Sequence, residues 1–592
     1  MKLVFTVMAA LMLVAPVFAA NADDNGTMND IGAGGRPVGA LWSRSPVYAE
    51  HGMAATAHPL ASQVAIDILK SGGNAVDAAI AANAAIGLME PTGNGIGGDL
   101  FAIIWDPATK KLYGLNASGR SPKGRSYDDL MARLDGKNAL PPFGDLPVSV
   151  PGTVDGWFEL HNRFGKQPMA KILQPAIDYA KNGFPVSPVI ARYLELNLAR
   201  FEEHIETINE FENARSTYFK DGLPKAGAIF KNPDLARTLT LIRENGRDAF
   251  YTGEIAKTID GYMKRIGGDL RYDDLATHTS EWVDVACVDY RGFDLCELPP
   301  NSQGFAALQM ANILKNVDLA QWSRGSAEVL HYITEAKRLA FEDLGRFYAD
   351  PSFTGFPAKS LLSDEYGRER FALIDPNKAN PAPVPGDPKL EGEGDTTYLT
   401  VADKDGMMVS LIQSNYRGMG SGLVPDGLGF MLQDRGQLYS LDPDHPNVYA
   451  PGKRPFHTII PAFVLKDGKP FISFGLMGGG MQPQGHVQVL INIVDYGMNL
   501  QEAGDAARLN HVGGRAPTDG LNDGEVDLLG TLYVEPGISQ NTIEKLRAMG
   551  HRVQVVENGI MFGGYQAIMR NPKTGVYAGA TEMRKDGNAI GY

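Results

Sequence analysis

The residues most suited to chemistry are two adjacent threonines, Thr396 and Thr397, which follow Asp395. Residues 375–395 before them are Pro-, Gly- and charge-rich and nearly without apolar side chains, so they are predicted to form an exposed linker. If the peptide bond before Thr396 were cut, Thr396 would gain a free α-amine with a pKa of about 8. That amine could serve as the base for the hydroxyl of the same residue. The alternative is a threonine that begins a strand because of its β propensity.

Other catalytic patterns are weak in this sequence. A G-x-G-x-x-G string occupies residues 93–98, but a dinucleotide-binding fold needs a strand before it and a helix after it. Here the pattern indicates a helix before the loop and a strand after it, which favours a loop that lets two backbones approach closely. The 11 histidines show no metal-ligand spacing such as H-E-x-x-H, and there is no G-x-S-x-G elbow. The sequence therefore implies no metal and no organic cofactor.

The composition is that of a globular protein. The chain has 592 residues, 44% of them hydrophobic, with a formal net charge of −14. Such an acidic balance argues against nucleic-acid binding, since no basic field would release phosphate counterions. Two cysteines cannot build a four-thiolate metal site.

The N-terminus predicts export. Residues 1–19 combine Lys2, an apolar stretch and a small-residue cleavage site, which is typical of a signal peptide. The alternative is a membrane anchor, but the apolar core is shorter than the ~20 residues that a spanning helix needs. We expect a mature protein without a membrane span, in the periplasm or secreted.

The two cysteines, Cys287 and Cys296, lie in a predicted hairpin over residues 282–299. If Arg291 and Gly292 form a two-residue turn, the two cysteines face each other directly, close enough for a disulfide. An oxidising compartment would permit the bond, and two free thiols on an ordinary hairpin are the alternative.

Helical and strand patterns occur in blocks. A helical pattern runs from His58 to Ile86, and a second long helix is predicted at about 327–350. After the linker, Thr396 begins a predicted pair of strands, with further strands at 458–466 and 470–475 and a helix at 486–497. Blocks of strands and helices indicate a layered α/β or α+β domain.

Motifs along nearly the whole mature chain resemble the γ-glutamyltranspeptidase family of N-terminal-nucleophile hydrolases. The matching segments are ATAHPLAS (55–62), GGNAVDAAIAA (72–82), EPTGNGIGGDLF (90–101), VPGTVDGW (150–157), LPPNSQG (298–304), GDTTYLTVADKDG (394–406), GKRPFHTIIPAFV (452–464), GGGMQPQGH (478–486) and RKDGNAIGY (584–592). The resemblance implies a four-layer αββα sandwich. It also implies a precursor that cuts itself between Asp395 and Thr396 into a large subunit (residues 20–395) and a small subunit (396–592), which stay together as a heterodimer.

The resemblance also assigns catalytic roles. Thr396 would attack an amide carbonyl and form an acyl-enzyme, while the backbone N–H groups of Gly478 and Gly479 would form the oxyanion hole. Thr397 and Ser414 match positions that hydrogen-bond the nucleophile or its amine.

The substrate pocket departs from the transpeptidase pattern and is more similar to the family's acylase-like and hydrolase-like branch. His457 and Thr458 stand where a Ser-Ser pair is usual, and Tyr416 replaces an Asn. Arg120 and Arg435 are candidates to bind a substrate carboxylate, although each can also be an ordinary surface arginine. His457 can bind substrate or form the pocket wall.

The resemblance implies a γ-glutamyltransferase or glutathione hydrolase that acts on a small γ-glutamyl or related anionic amide, with water or an amine as acceptor. An acylase for another carboxylate-bearing amide, glutaryl- or oxamate-like, is the alternative. A non-catalytic binding protein, which would never cut itself, is a third possibility.

Overall fold

The computed structural model describes residues 31–32, 36–37, 44–383, 395–520, 526–557 and 559–592. For Asp395 and Thr396 it describes the backbone. The predicted signal peptide, residues 1–19, and residues 384–394 of the predicted linker lie outside the described residues.

The strands, in chain order, are β1 (Ile31–Gly32), β2 (Arg36–Pro37), β3 (Val47–Ala49), β4 (Gly52–Thr56), β5 (Asp99–Asp106), β6 (Lys111–Ala117), β7 (Phe184–Pro185), β8 (Ile229–Phe230), β9 (Glu281–Val283), β10 (Ala286–Tyr290), β11 (Phe293–Glu297), β12 (Asp395–Asp403), β13 (Met408–Tyr416), β14 (Ala462–Lys466), β15 (Lys469–Met477), β16 (Leu509–Val512), β17 (Thr531–Val534), β18 (Val553–Val555), β19 (Gly564–Arg570), β20 (Tyr577–Thr581) and β21 (Asn588–Gly591).

The α-helices are α1 (Pro59–Lys70), α2 (Ala75–Met89), α3 (Tyr127–Leu134), α4 (Thr153–Phe164), α5 (Met169–Asn182), α6 (Pro188–Glu203), α7 (Glu212–Tyr218), α8 (Pro233–Asn245), α9 (Arg247–Tyr251), α10 (Glu254–Ile266), α11 (Tyr272–Ala276), α12 (Gly304–Leu314), α13 (Ala327–Phe347), α14 (Ala358–Leu361), α15 (Asp364–Phe371), α16 (Met481–Val494), α17 (Leu500–Asp505) and α18 (Gln540–Ala548). None of these described helices combines the length and the apolar character needed to cross a bilayer.

Two seven-stranded antiparallel sheets form the centre of the molecule. Sheet A has the order β21-β4-β12-β13-β5-β6-β9, and sheet B has the order β10-β11-β14-β15-β19-β20-β3. Side chains alternate along β12, so Tyr398 points into the layer between the sheets while Leu399 packs under the helices. Helices α1, α2 and α4 pack on sheet A, and α12, α16 and α17 pack on sheet B, while α5 packs on α2 and α13 on α12. The predicted four-layer αββα sandwich is confirmed.

Several predicted boundaries shift in the structure. The helical pattern from His58 to Ile86 forms two helices, α1 and α2, because Asn74 caps α2 in a reciprocal capping box with Asp77. The strand predicted at 458–466 begins only at Ala462, and the helix predicted at 486–497 begins earlier, at Met481.

The cysteine hairpin has the predicted register. Strands β10 and β11 pair Tyr290 with Phe293 and Cys287 with Cys296. The turn residues Arg291 and Gly292 both have positive φ, the geometry of a tight two-residue hairpin turn. The two sulfurs are bonded at 2.06 Å. The disulfide therefore closes the β10–β11 hairpin at one edge of sheet B.

Candidate active site

Thr396 lies at the start of β12, in the middle of sheet A. Asp395 pairs with Tyr416 of β13, but Thr397 pairs with Gln413, so the register shifts between them. Two residues of β13, Ser414 and Asn415, therefore lie opposite the single residue Thr396. A bulge of this kind re-aims side chains and is frequent beside active sites.

Gly478 and Gly479 form the turn between β15 and α16. Their φ angles are 123° and 58°, which glycine adopts without strain. Within sheet B, Gly475 of β15 lies against the ring of Tyr398 of β12, so the end of β15 comes close to the start of β12. Neither Gly478 nor Gly479 donates its N–H to another described residue. These two N–H groups are thus placed at the helix N-terminus, where negative charge is stabilised.

The hydroxyls of Thr397 and Ser414 each accept a hydrogen bond from a fixed N–H. Asn94 Nδ2 donates to Thr397 Oγ1 across 3.1 Å and to the carbonyl of Glu90 across 2.8 Å. The backbone N–H of Tyr416 donates to Ser414 Oγ across 2.8 Å. Since each oxygen already accepts, its own hydrogen can be donated to a neighbouring group. Both hydroxyls are therefore prepared to act as donors near the start of β12.

The Gly-rich loop, residues 90–98, packs directly on this bulge. It follows α2 and leads into β5, so the helix-loop-strand order predicted from the sequence is confirmed. A Cβ at Gly98 would overlap the carbonyl oxygen of Ser414, and one at Gly97 would overlap that of Met431. The glycines permit close backbone approach, as expected, and the loop order does not fit a dinucleotide site.

Arg435 is a buried arginine with an open hydrogen-bonding edge. It begins a short 3₁₀ turn, Arg435–Leu438, and its side chain is fully buried. Nη1 donates to Thr458 Oγ1 across 2.9 Å, whereas Nε and Nη2 have no hydrogen-bond partner among the described residues. These two nitrogens share one edge of the planar guanidinium and match the two oxygens of a carboxylate. Burial lowers the pKa of Arg435, and nearby Asp99 opposes that shift.

Tyr416 and Asp434 flank Arg435. The guanidinium lies 4.7 Å from the centroid of the Tyr416 ring, a cation–π distance. Tyr416 has φ of 80°, a left-handed conformation that is rare for a bulky residue and that often marks functional sites. Burial raises the pKa of Asp434 to about 7. Its Oδ1 accepts from the N–H of Arg417, and Oδ2 has no partner among the described residues.

His457 forms part of the pocket wall. Its Nε2 lies 2.8 Å from Asp99 Oδ2, and its Nδ1 lies 2.9 Å from the carbonyl of Pro455. Asn301 also lies 3.1 Å from Nδ1, and burial lowers the pKa of His457. With both ring nitrogens engaged by protein groups, the geometry favours the wall over direct substrate binding.

The guanidinium of Arg120 is engaged by other protein groups. Its guanidinium contacts Glu281 at 3.0 Å, Asp350 at 3.2 Å and the carbonyl of Gly452 at 3.2 Å. Two carboxylates already balance its charge. Arg120 is therefore less suited than Arg435 to take a substrate carboxylate.

Two polar residues of the site were missed by the sequence reasoning. Gln303 donates from Nε2 to the carbonyls of Thr458 and Gly479, and Asn94 donates to Thr397. Both lie inside motifs quoted above, LPPNSQG and EPTGNGIGGDLF. A large polar side chain within a Gly- or Pro-rich loop between apolar elements was the signal that could have identified them.

His331, Glu335 and His551 are the one group of described residues whose ligand atoms could surround a metal ion, all within 4.8 Å of one another. His331 Nδ1 lies 2.8 Å from His551 Nε2, and His331 Nε2 lies 2.8 Å from the carbonyl of Asp375. Glu335 accepts from Arg338 and from the N–H of Asn380. Each group already has a protein partner, so the cluster is explained without an ion.

Comparison with known proteins identifies the family. A sequence profile described as Gamma-glutamyltranspeptidase matches residues 61–592. The chain belongs to the γ-glutamyltranspeptidase family. The glutathione hydrolase-like YwrD proenzyme of Bacillus subtilis (strain 168) is 37% identical over 540 residues, covering 91% of this chain and 98% of that protein.

Other members of the family with similar sequences differ in the activities for which they are named. The oxamate amidohydrolase proenzyme of Klebsiella pneumoniae subsp. pneumoniae is 33% identical and covers 92% of this chain and 98% of that protein. The crystal structure of cephalosporin acylase from Bacillus halodurans superposes with a TM-score of 0.85 at 41% identity, covering 93% and 97% of the two chains. The chain is thus an enzyme of the amide-cleaving N-terminal-nucleophile type, as predicted, and its family contains both glutathione hydrolases and acylases.

Proposed function

We propose that this enzyme is exported, cuts itself before Thr396, and hydrolyses amides whose acyl group ends in a carboxylate, γ-glutamyl amides such as glutathione first among them. One observation carries the choice of acyl group, namely the buried edge of Arg435 formed by Nε and Nη2. Buried N–H donors without an acceptor are costly, and a substrate carboxylate would supply an acceptor for each of these two nitrogens.

The proposed reaction uses groups at the start of β12. Self-cleavage would leave a small subunit of 592 − 395 = 197 residues, with the α-amine of Thr396 as its base. The Thr396 hydroxyl then attacks the amide carbon, and its proton passes through the amine to the departing nitrogen. The N–H groups of Gly478 and Gly479 stabilise the oxyanion, at roughly 2.7–4 kcal/mol per donor. Water, or an amine, releases the acyl group from Thr396.

A second candidate is an acylase for glutaryl-type amides, which lack the α-amine. The family resemblance matches Gln437 and Leu438 with the position where transpeptidases carry an acidic residue that binds that amine. Gln437 Oε1 accepts from Arg417, and Leu438 is apolar and buried. Asp434 is the nearby carboxyl, and at its pKa of about 7 it is only half ionised near neutral pH.

The test compares γ-glutamyl-p-nitroanilide with glutaryl-p-nitroanilide, each with and without glycylglycine as acceptor, on enzyme whose cleavage has been verified by intact mass. Turnover of the γ-glutamyl substrate supports the first candidate, and its stimulation by glycylglycine would add transfer to hydrolysis. Turnover of the glutaryl substrate alone would select the acylase. Failure with both would reject five-carbon acyl groups that end in a carboxylate.

A further inference from the structure

Gln303 connects the two ends of the pocket. It precedes α12 in the predicted large subunit and is 1% exposed. Residues 301–303 run beside the segment that contains His457, since Ser302 forms a parallel bridge with His457 and the N–H of His457 donates to the carbonyl of Asn301. This pairing brings the Gln303 side chain to Thr458.

The amide nitrogen of Gln303 uses both hydrogens on carbonyls of the predicted small subunit. Nε2 donates to the carbonyl of Thr458 and, across 2.8 Å, to the carbonyl of Gly479. The Thr458 hydroxyl in turn accepts a hydrogen bond from Nη1 of Arg435. Gly479 belongs to the turn of residues 478–480, called the oxyanion turn below because its N–H groups would form the oxyanion hole. One side chain therefore joins the carboxylate-binding end to the end where the scissile carbonyl would lie.

The oxyanion turn needs an external support of this kind. Residues 478–480 are three consecutive glycines, which have no side chains to fix their backbone. Within the turn, the Gly479 carbonyl also accepts from the N–H of Gln482 across 3.1 Å. Among the residues that the structure describes, the bond from Gln303 ties this carbonyl to the wall bearing Thr458.

We propose that Gln303 is a positioning residue that fixes the distance between the Arg435 clamp, meaning its Nε and Nη2 edge, and the oxyanion turn. It thereby selects the length of the acyl group. The inference rests on the proposed function, because it requires Arg435 to bind the acyl carboxylate. Its consequence is a preference for one dicarboxylic chain length, which weakens when the Gln303 amide is removed.

The experiment measures kcat/KM for succinyl-, glutaryl- and adipyl-p-nitroanilide and for the uncharged valeryl analogue. We expect the wild-type enzyme to prefer one acid strongly. Gln303→Met cannot donate a hydrogen bond, so both bonds to the carbonyls of Thr458 and Gly479 are lost. The ratio of kcat/KM for the best acid to kcat/KM for the next best should therefore fall at least about tenfold. Gln303→Asn, whose shorter amide cannot span both carbonyls, should reduce it in the same direction.

Gln309→Met is the matched control. Gln309 lies in α12, the helix that Gln303 precedes, is also buried, and bonds Asp343 and the hydroxyl of Tyr348. We expect it to lower the melting temperature without changing the length preference. Suppose that Gln303→Met or Gln303→Asn keeps the wild-type preference for chain length, while Arg435→Met no longer prefers acids to the valeryl analogue. That result would overturn the role of Gln303 and leave the proposed role of Arg435 intact. A wild-type enzyme that turns over neither γ-glutamyl-p-nitroanilide nor any of the three acid anilides faster than the valeryl analogue would instead overturn the proposed function.

Discussion

The side-chain amide of Asn94 donates to the hydroxyl oxygen of Thr397 across 3.1 Å. The same nitrogen donates to the carbonyl of Glu90, which fixes the amide so that its nitrogen faces Thr397. The hydroxyl hydrogen of Thr397 is thereby left to be donated toward the neighbouring start of β12.

Asn94→Asp replaces this donor with an acceptor of the same shape. The Thr397 hydroxyl should then turn to donate to the new carboxylate, and we expect self-cleavage and kcat to fall about tenfold with KM little changed. The loss of uncut precursor over time measures self-cleavage, and steady-state assays measure kcat and KM. Asn312→Asp, at a buried asparagine of α12 bonded to the carbonyl of Leu362, is the control. An Asn94→Asp enzyme with wild-type kcat would show that the orientation of this hydroxyl is unimportant.

Thr396→Ala should give a single inactive chain in which Asp395 is still joined to residue 396. The change removes the hydroxyl proposed both for self-cleavage and for attack on substrate. Intact-mass spectrometry distinguishes one chain from two, and Thr396→Ser, which keeps a hydroxyl, should still be processed. Two chains from Thr396→Ala would place the nucleophile elsewhere.

Arg435→Met should raise KM for acids by about 10- to 100-fold while changing kcat much less, because a charge-assisted pair of hydrogen bonds is lost. Steady-state kinetics with the preferred acid anilide check this value. Arg120→Met is the matched comparison, since Glu281 and Asp350 already occupy that guanidinium. A larger KM effect at Arg120 than at Arg435 would reverse the assignment of the clamp.

Asp434→Asn should alter the pH dependence of stability. Burial raises the pKa of Asp434 from 3.8 to about 7, so between these values the folded protein holds a proton that the unfolded chain has lost. This group therefore contributes stability at low pH that is lost as the pH rises from about 4 to about 7. Relative to wild type, the melting temperature of Asp434→Asn should increase over that range by a few degrees, measured by calorimetry. A constant difference across the range would mean that Asp434 titrates normally.

The parts of the fold that depend on local pattern were predictable. Turn chemistry at Arg291 and Gly292 set the register that brings Cys287 opposite Cys296, and the Gly-rich string correctly indicated close backbone approach. The break between α1 and α2 lies at residues 71–74, Ser-Gly-Gly-Asn, where Asn74 caps α2, and the single helical pattern assigned from His58 to Ile86 did not use this signal.

The parts of the site that depend on distant segments were not predictable. Arg120 and Arg435 look alike as isolated arginines, and only the approach of Glu281 and Asp350 shows that the charge of Arg120 is already balanced. Likewise, the bond from Gln303 to Gly479 joins residues 176 positions apart, and no local spacing encodes it.

The strand order of sheet A implies that the two subunits, once cut and separated, would not readily reassemble. All of β12 except Asp395 would belong to the small subunit, as would β13 and β21, while β4 of the large subunit lies between β21 and β12. Because strands of the two subunits alternate in one sheet, the subunits can separate only if the hydrogen bonds between these strands are broken. Separated subunits would have to associate in a bimolecular step, whereas in the uncut precursor the same strands pair within one chain. We therefore expect the mature enzyme to fold as the precursor, before the cut, and not to refold efficiently from separated subunits.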